Sequence, residues 1–172
     1  MREIRIQFTR PLKAFPVFSW VIRWFQKTEY SHVRLCWLGA AGSVPVIYEA
    51  SGSNIKFIGP VAASENKVEV IREYVFRIEK EDYKRLVILC MTYASVEYGK
   101  IQILGMALAY MFDLKKNPFS VGRKSQVCSE VVGVFLSEIL GWKLDIDLDI
   151  AGPKEIQETI EKHQFLNKDG QE

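Results

Sequence analysis

Two β-rich runs, residues 31–38 and 44–50, flank the segment Gly39-Ala40-Ala41-Gly42-Ser43. Short strands joined by a Gly-rich loop are the signature of an antiparallel hairpin, and a hairpin dictates which side chains share a face. Alternation puts Val33, Leu35 and Trp37 on one face and His32, Arg34 and Cys36 on the other. With Gly39-Ala40-Ala41-Gly42 as the loop, Leu38 pairs with Ser43, and counting back sets His32 opposite Glu49 on the same face. A one-residue slip sets Tyr48 or Ala50 there instead.

The rest of the chain predicts strands first and helices after. Ile4, Ile6 and Phe8 alternate with charged and polar residues, a first strand. Pro11 and Pro16 interrupt it. Residues 17–26 carry Val17, Trp20, Val21, Trp24 and Phe25 at helical spacing. Residues 54–58 and 68–78 read as further strands. A helix over 80–98 opens with Glu81 and Asp82, which suit the macrodipole. A very apolar helix follows over 101–112, then a loop marked by Asn117, Pro118 and Gly122. The third helix of this half, 128–140, stops at Gly141, and Pro153 opens a last one over 154–163. This layout is an α+β domain. It spans residues 1–166 as one unit, with 167–172 as a polar tail.

Composition excludes several function classes. A chain of 172 residues with 48% apolar content can bury one core. A net charge of +2 makes no demand for nucleic acid. Lys115, Lys116, Arg123 and Lys124 fall in one loop, either a solvated loop or a docking surface for an anionic substrate or a membrane face. Three cysteines, an odd count without a CxxC pair, argue against a disulfide framework or zinc site and for a reducing compartment. Two histidines do not make a His-rich metal site, so no cofactor is expected. The N-terminus lacks a secretory apolar run, and residues 101–112 are too short to span a bilayer. The expectation is a cytoplasmic protein without a stable membrane span. Its oligomeric state is not encoded in any motif.

Chemistry concentrates on three residues. Cys128 lies where a polar loop meets an apolar helix whose face is Val131, Val132, Phe135, Leu136 and Ile139. A thiol at a helix N-terminus meets the positive end of the macrodipole and unpaired N–H groups, which favour the thiolate and can hold an oxyanion. The same position also suits a small buried core residue. His32 is one of two histidines; the other, His163, falls near the polar tail and reads as solvent-exposed. On a strand, His32 is either a base or a core residue with a satisfied ring. Glu49, if opposite it, can fix the imidazole tautomer and leave the other nitrogen to take a proton from a thiol. Otherwise Glu49 is a surface carboxylate. Cys36 and Cys90 read as packing residues.

Tyr30-Ser31-His32-Val33, Tyr48-Glu49-Ala50 and Val127-Cys128-Ser129-Glu130, in this order, resemble the permuted branch of the NlpC/P60 superfamily, and within it the YiiX/YaeF-like members, including phage-encoded ones. Trp20-Val21-Ile22-Arg23-Trp24, Tyr98-Gly99-Lys100 and Gly152-Pro153 resemble its leading helix, the short motif before its cysteine helix and its C-terminal turn. The resemblance implies a circularly permuted papain-like fold, with a sheet or partial barrel packed by helices. It implies Cys128 as nucleophile, His32 as general base and Glu49 as orienter. It also implies a cysteine hydrolase cleaving an amide or peptide bond, of cell-wall peptide or amino-acyl type, through a covalent acyl-enzyme. The substrate is then a small peptide, an amide or an acyl lipid. Tyr30, Tyr98 and Ser129 are candidates for lining its cleft, although aromatics near a sheet edge also serve as core. Two alternatives stand beside this expectation. One is a lipid-directed acyl hydrolase or acyltransferase, with residues 101–112 as a lid or acyl channel rather than a buried helix. The other is a catalytically inactive binding module on the same scaffold.

Overall fold

β1 (Arg2–Pro11) turns Ile4, Ile6 and Phe8 to one side, where all three are fully buried. The computed structural model of the protein describes residues 1–12, 17–39, 44–51, 54–59, 68–120 and 125–169. β1 sits between β2 (His32–Leu38) and β5 (Val68–Ile78) and pairs antiparallel with both. Its inward residues meet their counterparts directly: Ile4 faces Trp37 and Phe76, and Ile6 faces Leu35 and Tyr74. Cross-strand apolar pairs of this kind hold a sheet in register. β3 (Pro45–Ser51) and β4 (Asn54–Ile58) continue the antiparallel order, followed by the two-residue strands β6 (Glu97–Tyr98) and β7 (Ser125–Gln126). Among the described residues seven strands run β5-β1-β2-β3-β4-β6-β7, and of these only β6 and β7 pair in parallel.

Helices cover the apolar face of this sheet, which makes the fold mixed α+β. α1 (Val17–Gln26) links β1 to β2. α2 (Lys80–Tyr93) buries Leu86 and Cys90. α3 (Lys100–Phe112) buries Ile103, Met106, Ala107 and Ala109. α4 (Cys128–Val134) passes into a π-helical turn, Phe135–Ile139, and α5 (Pro153–Asp169) closes the chain. Val131, Val132, Phe135 and Leu136 from α4 and the π-turn join Ile156 and Ile160 of α5 against Val33, Leu35 and Tyr48 of the sheet. Among the described residues no helix is long and apolar enough to cross a membrane.

Three expected boundaries move. The helix predicted over 80–98 ends at Tyr93. Ser95 takes a left-handed φ of 74°, and its N–H donates to the Ile55 carbonyl, while Val96 accepts from Ile55 N–H. Sheet pairing therefore captures residues 95–98 and overrides helical propensity. The last helix, predicted over 154–163, runs to Asp169 because no Gly or Pro interrupts it before Gly170. Residues 167–169, expected in the tail, are helical, and 170–172 lie outside the described residues. His163, expected to be solvated, stacks on Trp142, with ring centroids 4.2 Å apart and an interplanar angle of 10°.

Candidate active site

His32 is the first residue of β2, and the chain just before it is tied down twice. Ser31 N–H donates to the Thr9 carbonyl, and the Ser31 hydroxyl lies 2.6 Å from that of Ser19 on α1, buried. The ring therefore enters the sheet at a set position. Nε2 of His32 lies 3.2 Å from Oε2 of Glu49.

The expected register is off by two. Leu38 pairs with Pro45 rather than Ser43, and Leu35 with Tyr48. The turn does not open at Gly39: its N–H donates to the Val44 carbonyl and carries the ladder one pair further, so the connection is 40–43 rather than 39–42, and residues 40–43 lie outside the described residues. Continuing this register sets Glu49 opposite Arg34, diagonal to His32. A two-residue shift preserves the pleat's parity, so Glu49 stays on His32's face.

Arg34 is the site residue that sequence reasoning passed over. Its Nη1 stands 3.6 Å from Glu49 Oε2, and its Nε donates to Gln7 Oε1 at 3.0 Å. Gln7 pairs with Arg34 on one side and with Glu73 on the other, and donates to the Glu73 carboxylate at 2.6 Å. On its far side Glu49 pairs with Lys56 of β4. A polar row, Glu73, Gln7, Arg34, Glu49 and Lys56, thus crosses five strands and places a buried guanidinium against Glu49. The available signal was a charged residue in the middle of an apolar strand, on His32's face. A buried guanidinium requires a partner.

Cys128 comes from the opposite direction. Tyr98 and Gln126 pair across β6 and β7, and Gly99 N–H donates to the Gln126 carbonyl at 3.0 Å. Val127 is extended and buried, and α4 starts at Cys128. The Glu130 carboxylate turns back and accepts the Val127 N–H at 2.6 Å. This is one half of a capping box, since Val127 has no side-chain acceptor to complete the other. Burial, opposed by that N–H and reinforced by Asp149 and Asp147, pushes the Glu130 carboxyl up to about 7.

The thiol of Cys128 hydrogen-bonds the His32 ring. Burial alone would lower the imidazole's affinity for a proton. The charge and hydrogen bond of Cys128, then those of Glu49, outweigh it and lift His32 to about 10. The imidazolium form is therefore the resting state at neutral pH, held between a sulfur and a carboxylate. With Nε2 turned to Glu49, Nδ1 is left for the thiol.

The other expected lining residues separate. Tyr98 joins the cluster: its phenol feels the charges of both Cys128 and Glu49, and burial, then these two, hold it well above its ordinary value. It stays an O–H donor beside the sulfur. Tyr30 does not join. It is buried against Phe8, and its hydroxyl donates to Gln157 of α5. Ser129 is fully buried, and its hydroxyl has no hydrogen-bond partner among the described residues. It faces the interior rather than an open cleft. Cys36 packs with Ile47 and Ile58, and Cys90 lies in the main core. All three cysteines are free thiols. Of the expected basic loop, Lys115 and Lys116 are exposed, and Arg123 and Lys124 lie outside the described residues.

No family model matches the chain, and no curated protein matches it. Among solved structures, the fold is similar to that of the metalloprotein YiiX from Escherichia coli O157:H7, with a TM-score of 0.53 and 20% identity over 94% of this chain and 79% of that one. At that identity the likeness is one of fold. Among the described residues of this chain, no group of three or more His, Cys, Asp or Glu side chains is arranged to hold a metal ion.

Proposed function

We propose that this protein is a cysteine hydrolase of the permuted NlpC/P60 type that cleaves an amide or peptide bond through an acyl-enzyme on Cys128. The observation that carries this reading is the relay in which His32 bonds the Cys128 thiol on one side and Glu49 on the other. The chain order His32, Glu49, Cys128 supports it, and so does the fold likeness to YiiX, whose name marks the subgroup that the sequence motifs resemble.

The chemistry follows from the roles. The Cys128 sulfur, beside the protonated His32 ring, attacks the substrate carbonyl carbon. The carbonyl oxygen becomes an oxyanion, met by N–H groups of α4's first turn and by the Tyr98 hydroxyl. As the tetrahedral species collapses, the C–N bond breaks and the imidazolium gives its proton to the departing amine. Water then attacks the thioester while His32 takes a proton from it. The carboxylic acid leaves, and the Cys128 sulfur and the protonated ring are restored. Glu49 holds the ring's orientation throughout, and Arg34 holds Glu49.

Intact-mass labelling with small activated amides, esters and thioesters tests the assignment. Burial pushes Cys90 up to about 12 and raises Cys36, so both stay protonated thiols at neutral pH. One adduct on Cys128, lost in His32→Ala, is expected. Equal labelling of the three thiols, or labelling indifferent to His32, rules the reading out.

A further inference from the structure

α1 and α3 pack on one another, with Ile22 and Phe25 against Ile103 and Met106 and the Phe25 ring 5.0 Å from that of Tyr110. That contact accounts for the inward half of each helix. The outward halves are apolar too. On α1, Val17, Trp20 and Trp24 recur at three- and four-residue steps, each more than half exposed, and the two indoles stack with centroids 6.3 Å apart. On α3, Ile101, Leu104, Met111 and Phe112 are also more than half exposed, with Leu108 half-buried among them. A domain seldom leaves so much contiguous apolar surface bare unless something apolar meets it.

Charge indicates what that something is. Neither helix contains an Asp or Glu. Arg23 and Lys100 are their only charged residues, and Lys27, Lys115 and Lys116 stand exposed just beyond their ends. The carboxylates nearest in sequence, Glu97 before α3, Asp113 after it and Glu29 after α1, all lie beyond the helix ends. Indoles favour the membrane–water boundary, and lysines reach from it to anionic headgroups. A second copy of the chain fits worse, because it brings the same positive rim. A helix of 13 residues lies along such a boundary rather than across it.

We infer that the outward faces of α1 and α3 form one surface that docks the protein on anionic lipid bilayers. The surface borders the candidate site. Val127, the residue before Cys128, is buried in one cluster with Ile22, Ile103 and Met106, and Tyr98 leads through Gly99 into α3. Docking does not rest on the hydrolase reading, and its test needs no substrate.

Flotation of the full chain with vesicles provides the test. One set is phosphatidylcholine alone; the other replaces about a third of it with phosphatidylglycerol. Recovery with the mixed vesicles should exceed that with the neutral ones by roughly tenfold and fall as salt rises. A blue shift of tryptophan emission should accompany binding and vanish in Trp20→Phe/Trp24→Phe. Trp24→Glu/Leu104→Glu should cut recovery by about tenfold or more without lowering the melting temperature, since both side chains are exposed. Lys115→Ser/Lys116→Ser should cut it several-fold. Three results would overturn the inference: no flotation with either vesicle, flotation that Trp24→Glu/Leu104→Glu leaves intact, or a vesicle-blind dimer that the same variant converts to monomer.

Discussion

Oε2 of Glu49 lies 3.2 Å from Nε2 of His32, and the same oxygen lies 3.6 Å from Nη1 of Arg34. One carboxylate thus serves a cation that never changes charge and a ring that can. Glu49 and Arg34 are both under one-tenth exposed, so neither can exchange its partner for water at no cost. Arg34→Met removes the permanent cation while Glu49 stays buried, and should cost about 3 kcal/mol of stability. Arg34→Met/Glu49→Gln should recover much of that loss, because the buried carboxylate that Arg34 helps to neutralise is then gone as well. Urea unfolding of the two variants checks this. A double variant no more stable than Arg34→Met would show that the two groups are not coupled.

The raised affinity of His32 for its proton makes stability depend on pH. The folded ring titrates near 10 against an ordinary 6.5, so the folded state binds the proton more tightly than the unfolded chain. Its stabilising contribution is complete below about pH 6.5 and is lost as pH rises through about 10. The stability difference between wild type and His32→Gln should therefore shrink steadily over that range. Activity should follow the same group: the alkaline limb of the rate profile should move to lower pH in Glu49→Gln, which loses one of the interactions that raise the ring. Glu49→Gln should also slow turnover less than His32→Ala, since in the proposed mechanism Glu49 only orients the base. An alkaline limb that stays in place in Glu49→Gln would assign it to another group.

How far the sequence disclosed this arrangement differs from strand to strand. The faces of β2 and β3 were legible, because a pleat has a period of two and an apolar face must be buried. The pairing partner of His32 was not, because register depends on where the loop begins, and Gly39 bonds Val44 as part of the ladder instead of opening the loop. Glu49 still reaches the ring only because the error was an even number. Cys128 at a helix start was legible from the switch of a polar loop into an apolar helix. Arg34 and the polar row beyond it were not, since the row joins residues far apart in sequence through pairings that no local pattern encodes. Residues 95–98 show the same limit: their helical pattern gave way to hydrogen bonds offered by Ile55.

Glu130 gives a second pH-dependent effect of opposite sense to a salt bridge. Its folded carboxyl titrates near 7 against an ordinary 4.5 because burial penalises the ionised form more than the Val127 N–H rewards it. Ionisation therefore destabilises the fold, by an amount that grows as pH rises from about 4.5 and levels off above about 7. Glu130→Gln keeps an oxygen for the Val127 N–H and removes the charge. It should melt higher than wild type at pH 8 and show little difference at pH 4. A variant less stable than wild type at pH 8 would mean that the charge is worth more to the N-terminus of α4 than burial costs it.

Gly152 is required by a close approach rather than by a turn. A Cβ built on it would lie 1.7 Å from Nε2 of Gln26. Gln26, the last residue of α1 and almost fully buried, cannot simply swing aside. Its Oε1 accepts the Lys154 N–H at 3.1 Å, and its Nε2 donates to Glu155 Oε2 at 2.7 Å, an oxygen that also accepts the Gly152 N–H at 2.8 Å. The amide thus caps the start of α5 and fastens α1 to it. Gly152→Ala forces either the amide or the backbone to move and should cost about 1–3 kcal/mol. Gln26→Ala should relieve the clash, so Gln26→Ala/Gly152→Ala should be less destabilised than the sum of the two single changes. Thermal melts of the three variants give the coupling directly. Strict additivity would show that Gly152 is needed for its backbone conformation and not for the space that Gln26 occupies.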